Sequence, residues 1–311
     1  MNDETSLPPP TMPTPQRVGD WKAILRTLGV TPSRRMGQNF LVDREVLAEI
    51  VAAGVQLGET VIEVGPGLGI LTAALAEAVG ASGRVIAVEL DKRLADYLQT
   101  AYAGTPQVTI IQQDILRATP GDLVGTAPYV VVANLPYQIT SAAFRHFLES
   151  PHPPERMTLL VQREVAQRIV ATPPEMSILA IAVQFFAQPR IVLSVPPEAF
   201  VPRPEVHSVV LALESVPPPL PPERWRGFFA LVQAGFGAKR KQIHNSLVER
   251  LRLPRETVSA FLAAAGIDAM RRAQTLTLDE WLRMERAAIE MNISLSSAMG
   301  RRVGAGDHAQ G

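Results

Sequence analysis

Short runs of Val, Ile and Leu alternate along most of the chain with stretches in which apolar residues recur at helical spacing. Nearly continuous apolar runs are typical of strands buried on both faces of a sheet. The predicted strands are Thr60–Val64, Arg84–Glu89, Val108–Gln113, Tyr129–Ala133, Met157–Val161, Arg190–Val195 and Ser208–Leu213. The predicted helices among them are Arg44–Val55, Ile70–Val79, Arg93–Ala103, Ser141–Glu149, Glu164–Ala171 and Ser177–Phe186. This alternation predicts an α/β fold with a seven-stranded, mostly parallel sheet.

The last two predicted strands are joined by a Pro-rich segment, Pro196 to Glu205, and by no good helix. We therefore expect these two strands to form an antiparallel hairpin with a long loop. A seven-stranded sheet that ends in such a hairpin is the pattern of the Rossmann-like S-adenosylmethionine methyltransferases.

A second domain follows the Pro-rich segment Val216-Pro-Pro-Pro-Leu-Pro-Pro222, which is expected to be a stiff linker. The pattern beyond it is wholly helical, with predicted helices at Glu223–Phe236, Arg240–Arg252, Arg255–Ala265 and Leu278–Ile289. The predicted organisation is a disordered leader at 1–19, a first domain at 20–215, the linker at 216–222, a smaller all-helical domain at 223–293 and a flexible tail at 294–311.

Composition excludes several classes of protein. The chain has 311 residues, of which 47% are hydrophobic, so it can bury a substantial core. It has no cysteine, which excludes disulfides and thiolate metal sites, and its five scattered histidines lack metal-ligand spacing. We see no signal peptide, and the longest apolar segment, Ile178 to Ala187, is too short to span a bilayer. A soluble cytoplasmic protein is expected.

Charge is distributed unevenly although the net charge is zero. Residues 1–215 carry 16 Lys and Arg against 21 Asp and Glu, a net of −5, whereas residues 216–311 carry 14 against 9, a net of +5. This asymmetry is expected when one part of a protein holds a small cofactor and another part meets phosphates.

The segment Val131-Val-Ala-Asn-Leu-Pro-Tyr137 ends an apolar run with an amide, two rigid residues and an aromatic ring. The Asn134 side-chain oxygen and a main-chain carbonyl at Leu135 or Pro136 can each accept one hydrogen of the amino group of a flat base. Tyr137 can stack on that base. Two such acceptors would help to expose the lone pair of an adenine N6 amine. A strand that ends in a Pro turn with Asn as a cap fits the same residues, so the segment alone leaves both interpretations open.

A glycine-rich turn follows the first predicted strand, in Val61-Ile-Glu-Val-Gly-Pro-Gly-Leu-Gly-Ile70. Gly65 and Gly67 allow the backbone to come close to a ligand, and the helix after them presents unpaired N–H groups. A dinucleotide-binding turn would need its third glycine at position 70, where this chain has Ile70. The mismatch disfavours a nicotinamide cofactor.

Acidic residues end the next two predicted strands. Glu89 is placed to accept both hydroxyls of a ribose, although it could also be a solvated acid at a strand end. Asp114 could accept a hydrogen bond from an adenine amino group, with Ile115 packed on the ring, or it could only cap a turn. Because the carboxyl ends of parallel strands meet at one edge of a sheet, we expect both acids to lie beside Gly65 and Asn134 at one ligand site.

Another motif, Gly37-Gln-Asn-Phe-Leu-Val-Asp43, precedes the first predicted strand. Asn39 and the main chain of Leu41 could close over the methionine end of a cofactor, and Asp43 could cap the helix that starts at Arg44. An N-capped helix with an aromatic staple would explain Asp43 but not the polar pair Gln38-Asn39.

In this order and with this spacing, the motifs resemble the KsgA-type family of ribosomal RNA small-subunit adenine-N6,N6-dimethyltransferases. The set is Gly-Gln-Asn-Phe-Leu-x-Asp, Glu-Val-Gly-Pro-Gly-Leu-Gly, Val-Glu-Leu-Asp, Gln-Gln-Asp, Asn-Leu-Pro-Tyr and Phe-Val-Pro-Arg-Pro-x-Val-x-Ser, within a match from about Arg34 to Ile289. The resemblance implies S-adenosylmethionine as the methyl donor. It also implies that two adjacent adenosines in a hairpin near the 3′ end of small-subunit (16S) RNA are each methylated twice, by in-line attack of N6 on the methyl group. A monomer that acts on a pre-30S particle, without a metal, would fit this function.

Site residues follow by position in the resembling motifs. The residues that would contact the cofactor are Asn39, Leu41, Gly65, Glu89, Asp114 and Asn134. The residues that would form the catalytic site are Asn134, Leu135, Pro136, Tyr137 and Phe200. Tyr137 and Phe200 would sandwich the target base after it has left its stack. Phe200 would otherwise be an ordinary core aromatic in a Pro-rich loop.

A basic cluster, Lys239-Arg240-Lys241-Gln-Ile-His-Asn245, is predicted to open a helix in the basic half. Lys239, Arg240, Lys241 and His244 are the candidate RNA contacts, through phosphates. Cations in the first turn of a helix oppose its dipole, which favours a functional reason for them. The family segment usually has Arg-Arg-Lys, then Thr and a later Arg, whereas Gln242 and His244 stand here, which leaves the RNA footprint open. Arg163 and the pair Arg34-Arg35 are weaker candidates.

Three alternatives remain at this point. A resistance-type adenine N6-methyltransferase of large-subunit RNA would share every cofactor motif, although Tyr137 and Gly37-Gln38 favour the small subunit. A non-catalytic assembly or transcription factor of the same fold would bind a subunit without turnover, although the presence of Asn134 and Glu89 favours an enzyme. A nicotinamide-dependent dehydrogenase is disfavoured by Ile70 and by the lack of a catalytic His or Tyr–Lys pair.

Overall fold

The computed structural model describes residues 24–29, 39–136, 138–238 and 240–295. The predicted leader at 1–19 and most of the predicted tail lie outside these residues. The predicted site residues Tyr137 and Lys239 also lie outside them.

Nine strands occur in the described part of the chain, and seven of them form one sheet. The strands are β1 (Phe40–Leu41), β2 (Thr60–Val64), β3 (Arg84–Glu89), β4 (Val108–Gln112), β5 (Val130–Asn134), β6 (Arg156–Gln162), β7 (Ala187–Val195), β8 (Phe200–Val201) and β9 (Ser208–Ser215). The order in the large sheet is β4-β3-β2-β5-β6-β9-β7. Neighbours from β4 to β6 run parallel, whereas β9 runs antiparallel to both β6 and β7. The predicted mostly parallel sheet with an antiparallel end is confirmed.

All predicted helices are present, and their ends lie within a few residues of the predicted ones. The helices are α1 (24–27), α2 (Arg44–Gly54), α3 (Ile70–Val79), α4 (Lys92–Ala101), α5 (Pro120–Val124), α6 (Thr140–Leu148), α7 (Arg163–Ile169), α8 (Ile178–Gln184), α9 (Pro222–Gly235), α10 (Ile243–Leu251), α11 (Arg255–Ala264) and α12 (Leu278–Glu290). Within the described ranges, none of these helices combines the length and the apolar character that crossing a membrane requires.

The central strands are buried almost throughout because helices pack against the sheet. Val61 of β2, Val85 of β3 and Val132 of β5 belong to one core. Ile50 of α2 and Leu75 of α3 join the same core. These strands form a rigid base for the loops that follow their carboxyl ends.

Asp43 caps α2 as predicted. Its carboxylate oxygen Oδ1 accepts hydrogen bonds from the main-chain N–H groups of Glu45 and Val46, at 2.9 and 3.1 Å. These two N–H groups have no partner inside the helix, so the cap stabilises its first turn. The cap also fixes where the chain leaves β1 and enters α2.

A small antiparallel sheet of β1 and β8 was not predicted. Leu41 lies opposite Phe200, and Phe40 lies opposite Val201. In addition, the Val42 N–H donates to the Ala199 carbonyl at 2.8 Å. The sheet therefore joins the segment before α2 to the loop between β7 and β9.

The chain divides into two compact units whose limits differ from the predicted domains. One unit runs to Gln167 and resumes at Ala187–Val216, while Arg168–Phe186 group with the chain from Pro217 onward. The sequence assigned 168–186 to the first domain.

Aromatic packing gives the physical reason for this difference. Phe185 lies 4.9 Å from Phe228, and Phe186 lies 4.9 Å from Trp225, measured between ring centroids. Packing of the apolar α8 segment against α9 therefore places this segment in the helical unit, and the Pro-rich linker is not the sole boundary.

Candidate active site

A cavity of about 330 Å³ lies at the carboxyl ends of β2, β3, β4 and β5. It is lined by all six residues that were predicted to contact a cofactor, which are Asn39, Leu41, Gly65, Glu89, Asp114 and Asn134. Pro136 also lines it. The structure therefore brings together residues that follow four strand ends, as the parallel sheet predicts. The role of each residue toward a ligand stays a prediction.

The glycine turn after β2 has left-handed backbone conformations. Gly65, Gly67 and Gly69 have φ values of 68°, 62° and 84°. A Cβ atom on Gly67 would lie 3.0 Å from the Phe40 ring, whereas one on Gly65 would meet no atom within 4 Å. Gly67 thus lets Phe40 lie close against the turn, and Gly65 keeps space open on the cavity side.

Glu89 connects the end of β3 to this turn. Its oxygen Oε2 accepts from the Gly67 N–H at 3.1 Å, and Oε1 accepts from the Asp91 N–H at 2.9 Å. Burial raises the pKa of the Glu89 carboxyl above its usual value, and the N–H donors oppose that rise. Two main-chain donors therefore hold the carboxylate in one orientation at the cavity wall.

Glu63 is a cavity residue that the sequence analysis did not assign. It lies within β2, is 1% exposed and lines the cavity. Neither of its carboxylate oxygens has a hydrogen-bond partner among the described residues. Burial raises its pKa to about 8, the nearby Thr72 side chain lowers it in part, and the Glu89 charge raises it further. A buried carboxyl without a donor suits a ligand that carries a positive charge or N–H groups.

Asp114 fits both interpretations that the sequence left open. Its Oδ1 accepts from the Leu116 N–H at 3.0 Å and so caps a 3-10 turn, Ile115–Arg117. The same side chain lines the cavity beside Ile115, which is 4% exposed. Capping fixes the carboxylate at the mouth of the site and does not exclude contact with a ligand.

Asn134 is held by the segment that was predicted to close over a cofactor. Its Nδ2 donates to the Asn39 carbonyl at 2.9 Å. This hydrogen bond fixes the orientation of the amide, whose Oδ1 is the atom that can accept a hydrogen bond. The Pro136 carbonyl accepts from the Ile139 N–H at 3.1 Å and from the Thr140 hydroxyl at 3.3 Å. The Pro136 carbonyl therefore already accepts two hydrogen bonds, and the choice between Leu135 and Pro136 as second acceptor stays a prediction.

Two predicted catalytic residues are buried and do not line the cavity. Leu135 is 2% exposed, and its N–H donates to the Leu160 carbonyl at 3.3 Å. Phe200 is 3% exposed and belongs to the apolar core around β2 and β5, where the β1–β8 pairing holds it. The structure thus places Phe200 as a core aromatic, and its stacking on a base stays a prediction.

Comparison with known proteins places the chain in a family. A family model described as ribosomal RNA adenine dimethylase matches residues 31–290. The chain belongs to the ribosomal RNA adenine dimethylase family. The family resemblance that the ordered motifs indicated is confirmed, and with it an enzyme of the methyltransferase class.

Relatives in this family are similar to this chain over most of its length. The ribosomal RNA small subunit methyltransferase A of Dehalococcoides mccartyi is 40% identical over 274 residues, which cover 87% of this chain and 93% of that protein. The protein of the same name from Desulfitobacterium hafniense is 41% identical over 265 residues, which cover 84% and 94%.

Solved structures share the fold of this chain. The 23S rRNA methyltransferase ErmE superposes with a TM-score of 0.65 at 29% identity, over 80% of this chain and 99% of that one. A dimethyladenosine transferase from Plasmodium falciparum has a TM-score of 0.70 at 21% identity, over 82% and 99%. At 21% identity the second likeness shows the fold alone.

Arg240 and Lys241 of the basic cluster precede α10 and do not open it. The helix begins at Ile243, three residues later than predicted, because Lys241 closes a turn through its N–H to the Ala238 carbonyl at 3.0 Å. The argument from the helix dipole therefore does not apply to Arg240 and Lys241. Lys241 forms an exposed ion pair with Glu249 at 2.6 Å.

His244 contacts the neighbouring helix. Its Nε2 lies 3.3 Å from the Arg255 carbonyl and 3.1 Å from the Ser259 hydroxyl, both on α11. This pairing gives His244 a structural role between α10 and α11. Its predicted contact with RNA stays a prediction.

Proposed function

We propose that this protein is a ribosomal RNA adenine-N6,N6-dimethyltransferase that uses S-adenosylmethionine. Its substrate is a hairpin near the 3′ end of small-subunit RNA, in which two adjacent adenosines are each methylated twice. The observation that carries the proposal is the convergence of Glu89, Asp114 and Asn134 on one cavity in a chain of this family. Relatives at about 40% identity are named as small-subunit methyltransferases, which supports the choice of subunit.

The cavity residues fit S-adenosylmethionine, which when bound supplies an electrophilic methyl group on a positively charged sulfur. Glu89, oriented by two N–H donors, would accept the hydroxyls of the ribose. Asp114 and Ile115, which line the cavity, would bind the adenine ring through its amino group and its face. Glu63 is a buried carboxyl without a hydrogen-bond partner among the described residues. A positively charged ligand would stabilise its ionised form.

The target amine would be bound by Asn134 and Leu135. The Oδ1 of Asn134 is directed by the hydrogen bond between Nδ2 and the Asn39 carbonyl, at 2.9 Å. With the Leu135 carbonyl it would accept the two hydrogens of N6 and hold its lone pair toward the methyl group. Positioning of this kind provides catalysis because the acceptors need no reorganisation when the charge on nitrogen changes. Tyr137 would stack on the extruded base.

The substrate would be RNA within an assembling pre-30S particle, and the enzyme would act in the cytoplasm as a monomer. The net charge of +5 over residues 216–311 supports an electrostatic contact with the RNA backbone in that half. Arg240, Lys241 and His244 are the described candidates for these contacts, together with Lys239.

The alternative substrate is large-subunit RNA, on which the structural relative ErmE is named to act. The two substrates are separated by an assay with purified unmethylated small and large ribosomal subunits and methyl-labelled S-adenosylmethionine. The proposal expects label in the small-subunit RNA alone. If only the large-subunit RNA is labelled, the substrate is large-subunit RNA and the proposed substrate is wrong. If neither particle is labelled, a non-catalytic binding factor is favoured.

A further inference from the structure

The segment 24–29 packs behind the wall of the cavity. Leu25 is 5% exposed and forms an apolar cluster with Leu68 and Leu94, which are 3% and 1% exposed. Both partners line the cavity from its inner side, whereas Leu25 itself does not reach it. Phe40 and Ile70, two further cavity residues, pack against the same cluster. The segment thus holds together parts of the wall that come from separate elements.

A line of hydrogen bonds connects the end of this segment to Glu89. The guanidinium of Arg93 donates to the Gly29 carbonyl at 2.6 Å and to the Asp91 carboxylate at 3.0 Å. The Asp91 N–H donates in turn to Glu89 Oε1 at 2.9 Å. Asp91 also caps α4 by accepting from the Arg93 N–H at 2.9 Å. Glu89 therefore receives one of its two main-chain donors from a turn that Arg93 fastens to residues 24–29.

This donor matters because Glu89 is buried. Burial disfavours the charged carboxylate, and the main-chain N–H groups of Asp91, Gly67 and Leu90 favour it, that of Asp91 most. If the turn at Asp91 loosened, the carboxylate would lose both orientation and a donor. A ligand hydroxyl that binds to Glu89 would then find its acceptor less well placed.

We propose that residues 24–29 are a positioning element for the cofactor, acting through Leu25 on the cavity wall and through Arg93 on Glu89. Neither Leu25 nor Arg93 contributes an atom to the cavity, so both are positioning residues. The bound group that depends on them is the ribose of an adenine nucleoside. This inference rests on the proposed function, because it assumes that the cavity takes S-adenosylmethionine.

The test measures cofactor binding and turnover in full-length Arg93→Ala and Leu25→Ser variants. Calorimetry gives the Kd of S-adenosylhomocysteine, and steady-state methylation gives KM for S-adenosylmethionine, KM for RNA and kcat. Each variant is expected to raise the cofactor Kd and KM by roughly threefold to tenfold, the effect of losing about one hydrogen bond or apolar contact. KM for RNA and kcat at saturating cofactor are expected to stay within about twofold of wild type.

Matched controls come from two exposed side chains of the same types, one cationic and one leucine. Lys92, next to Arg93 on α4, forms an exposed ion pair with Asp96 at 2.7 Å. This ion pair is not part of the hydrogen bonds that connect Arg93 to Glu89. Leu57 is a leucine that is 77% exposed. Lys92→Ala and Leu57→Ser are expected to leave the cofactor Kd unchanged. Equal losses in variant and control would overturn the proposal.

A double-mutant cycle separates positioning from simple destabilisation. If Arg93 acts through Glu89, then Arg93→Ala raises the cofactor Kd in the wild-type background but adds little in Glu89→Gln. Additive effects, or a fall in kcat at unchanged KM, would contradict the inference. Wild-type protein that binds no S-adenosylhomocysteine would instead contradict the proposed function, and wild-type binding with unaltered variants would defeat the inference alone.

Discussion

At the scale of single residues, Glu63 has the least ordinary environment in the cavity. Its carboxyl is buried, has no hydrogen-bond partner among the described residues and has a pKa raised from 4.5 to about 8. In the folded protein without ligand it is protonated at neutral pH, whereas in the unfolded chain it is ionised. The raised pKa of Glu63 therefore contributes to the free energy of unfolding at low pH. This contribution is lost as the pH rises from the pKa of the unfolded chain to that of the folded protein.

We predict that Glu63→Gln stabilises the ligand-free protein increasingly between pH 5 and pH 8. The folded pKa of Glu63 lies above its unfolded value, so its contribution is fully present below about pH 4.5 and is lost above about pH 8. Across that window the variant should gain on the order of 1 to 4 kcal/mol relative to wild type. Urea denaturation of both proteins at several pH values measures the gain. If the difference in the free energy of unfolding between variant and wild type does not change with pH, Glu63 is ionised in the folded protein.

Sequence patterns located most of the site at the residue scale but missed Glu63. Glu89, Asp114 and Asn134 follow apolar runs, so the topology of a parallel sheet predicts their meeting. Glu63 stands between Ile62 and Val64 inside an apolar run and also belongs to the glycine motif, which accounts for its presence without a ligand role. A charged residue in an otherwise apolar buried strand was the signal that could have identified it.

At the scale of elements, two glycines in the turn from β2 to α3 have different roles. Gly65 lines the cavity and has open space beside it, whereas a Cβ on Gly69 would lie 2.7 Å from the buried Leu98 side chain. Both residues have positive φ, so alanine is strained at either position.

We predict opposite profiles for Gly65→Ala and Gly69→Ala. Gly69→Ala should be less stable than Gly65→Ala by about 1–3 kcal/mol, because it adds overpacking against Leu98 to the backbone strain. Gly65→Ala should lose more affinity for S-adenosylhomocysteine, because its methyl group enters the cavity. Chemical denaturation and calorimetry on the same samples compare them. Equal stability with equal affinity would mean that the turn tolerates a side chain at both positions.

Other elements show where patterns stop being informative. β1 and β8 have two residues each, which is too short for any periodicity, yet their pairing places Phe200 in the core. The start of α10 was predicted too early because Arg and Lys are favourable helix residues, whereas the chain forms a turn there. The helix and strand propensities of a short segment carry no information about contacts with distant parts of the chain.

At the scale of the whole molecule, charge is divided unevenly along the sequence. Residues 1–215, with net charge −5, contain the cavity, and residues 216–311, with net charge +5, contain the basic residues before α10. Among the described residues, Lys241 already has a carboxylate partner in Glu249, and Arg240 has no ion pair. Arg240 is therefore the better candidate for a phosphate.

We predict that Arg240→Gln weakens RNA binding more than Lys241→Gln does. Loss of one phosphate contact should make the slope of log K against log salt less negative by about 0.7 to 0.9. Affinity for S-adenosylhomocysteine should not change in either variant. Binding titrations with small-subunit RNA at several salt concentrations measure the slope. An unchanged slope for Arg240→Gln would remove this residue from the RNA contact.

We propose that Asn134, held by its hydrogen bond to the Asn39 carbonyl at the end of β5, positions the adenine amine beside a methyl donor. Mass spectrometry of adenosines in small-subunit RNA tests it most directly, after incubation with S-adenosylmethionine and wild type, Asn134→Ala or the exposed control Gln99→Ala. We expect two adjacent dimethyladenosines with wild type and control, and none with Asn134→Ala, while circular dichroism finds all three proteins folded. Dimethyladenosine formed by Asn134→Ala at the wild-type rate would contradict the account.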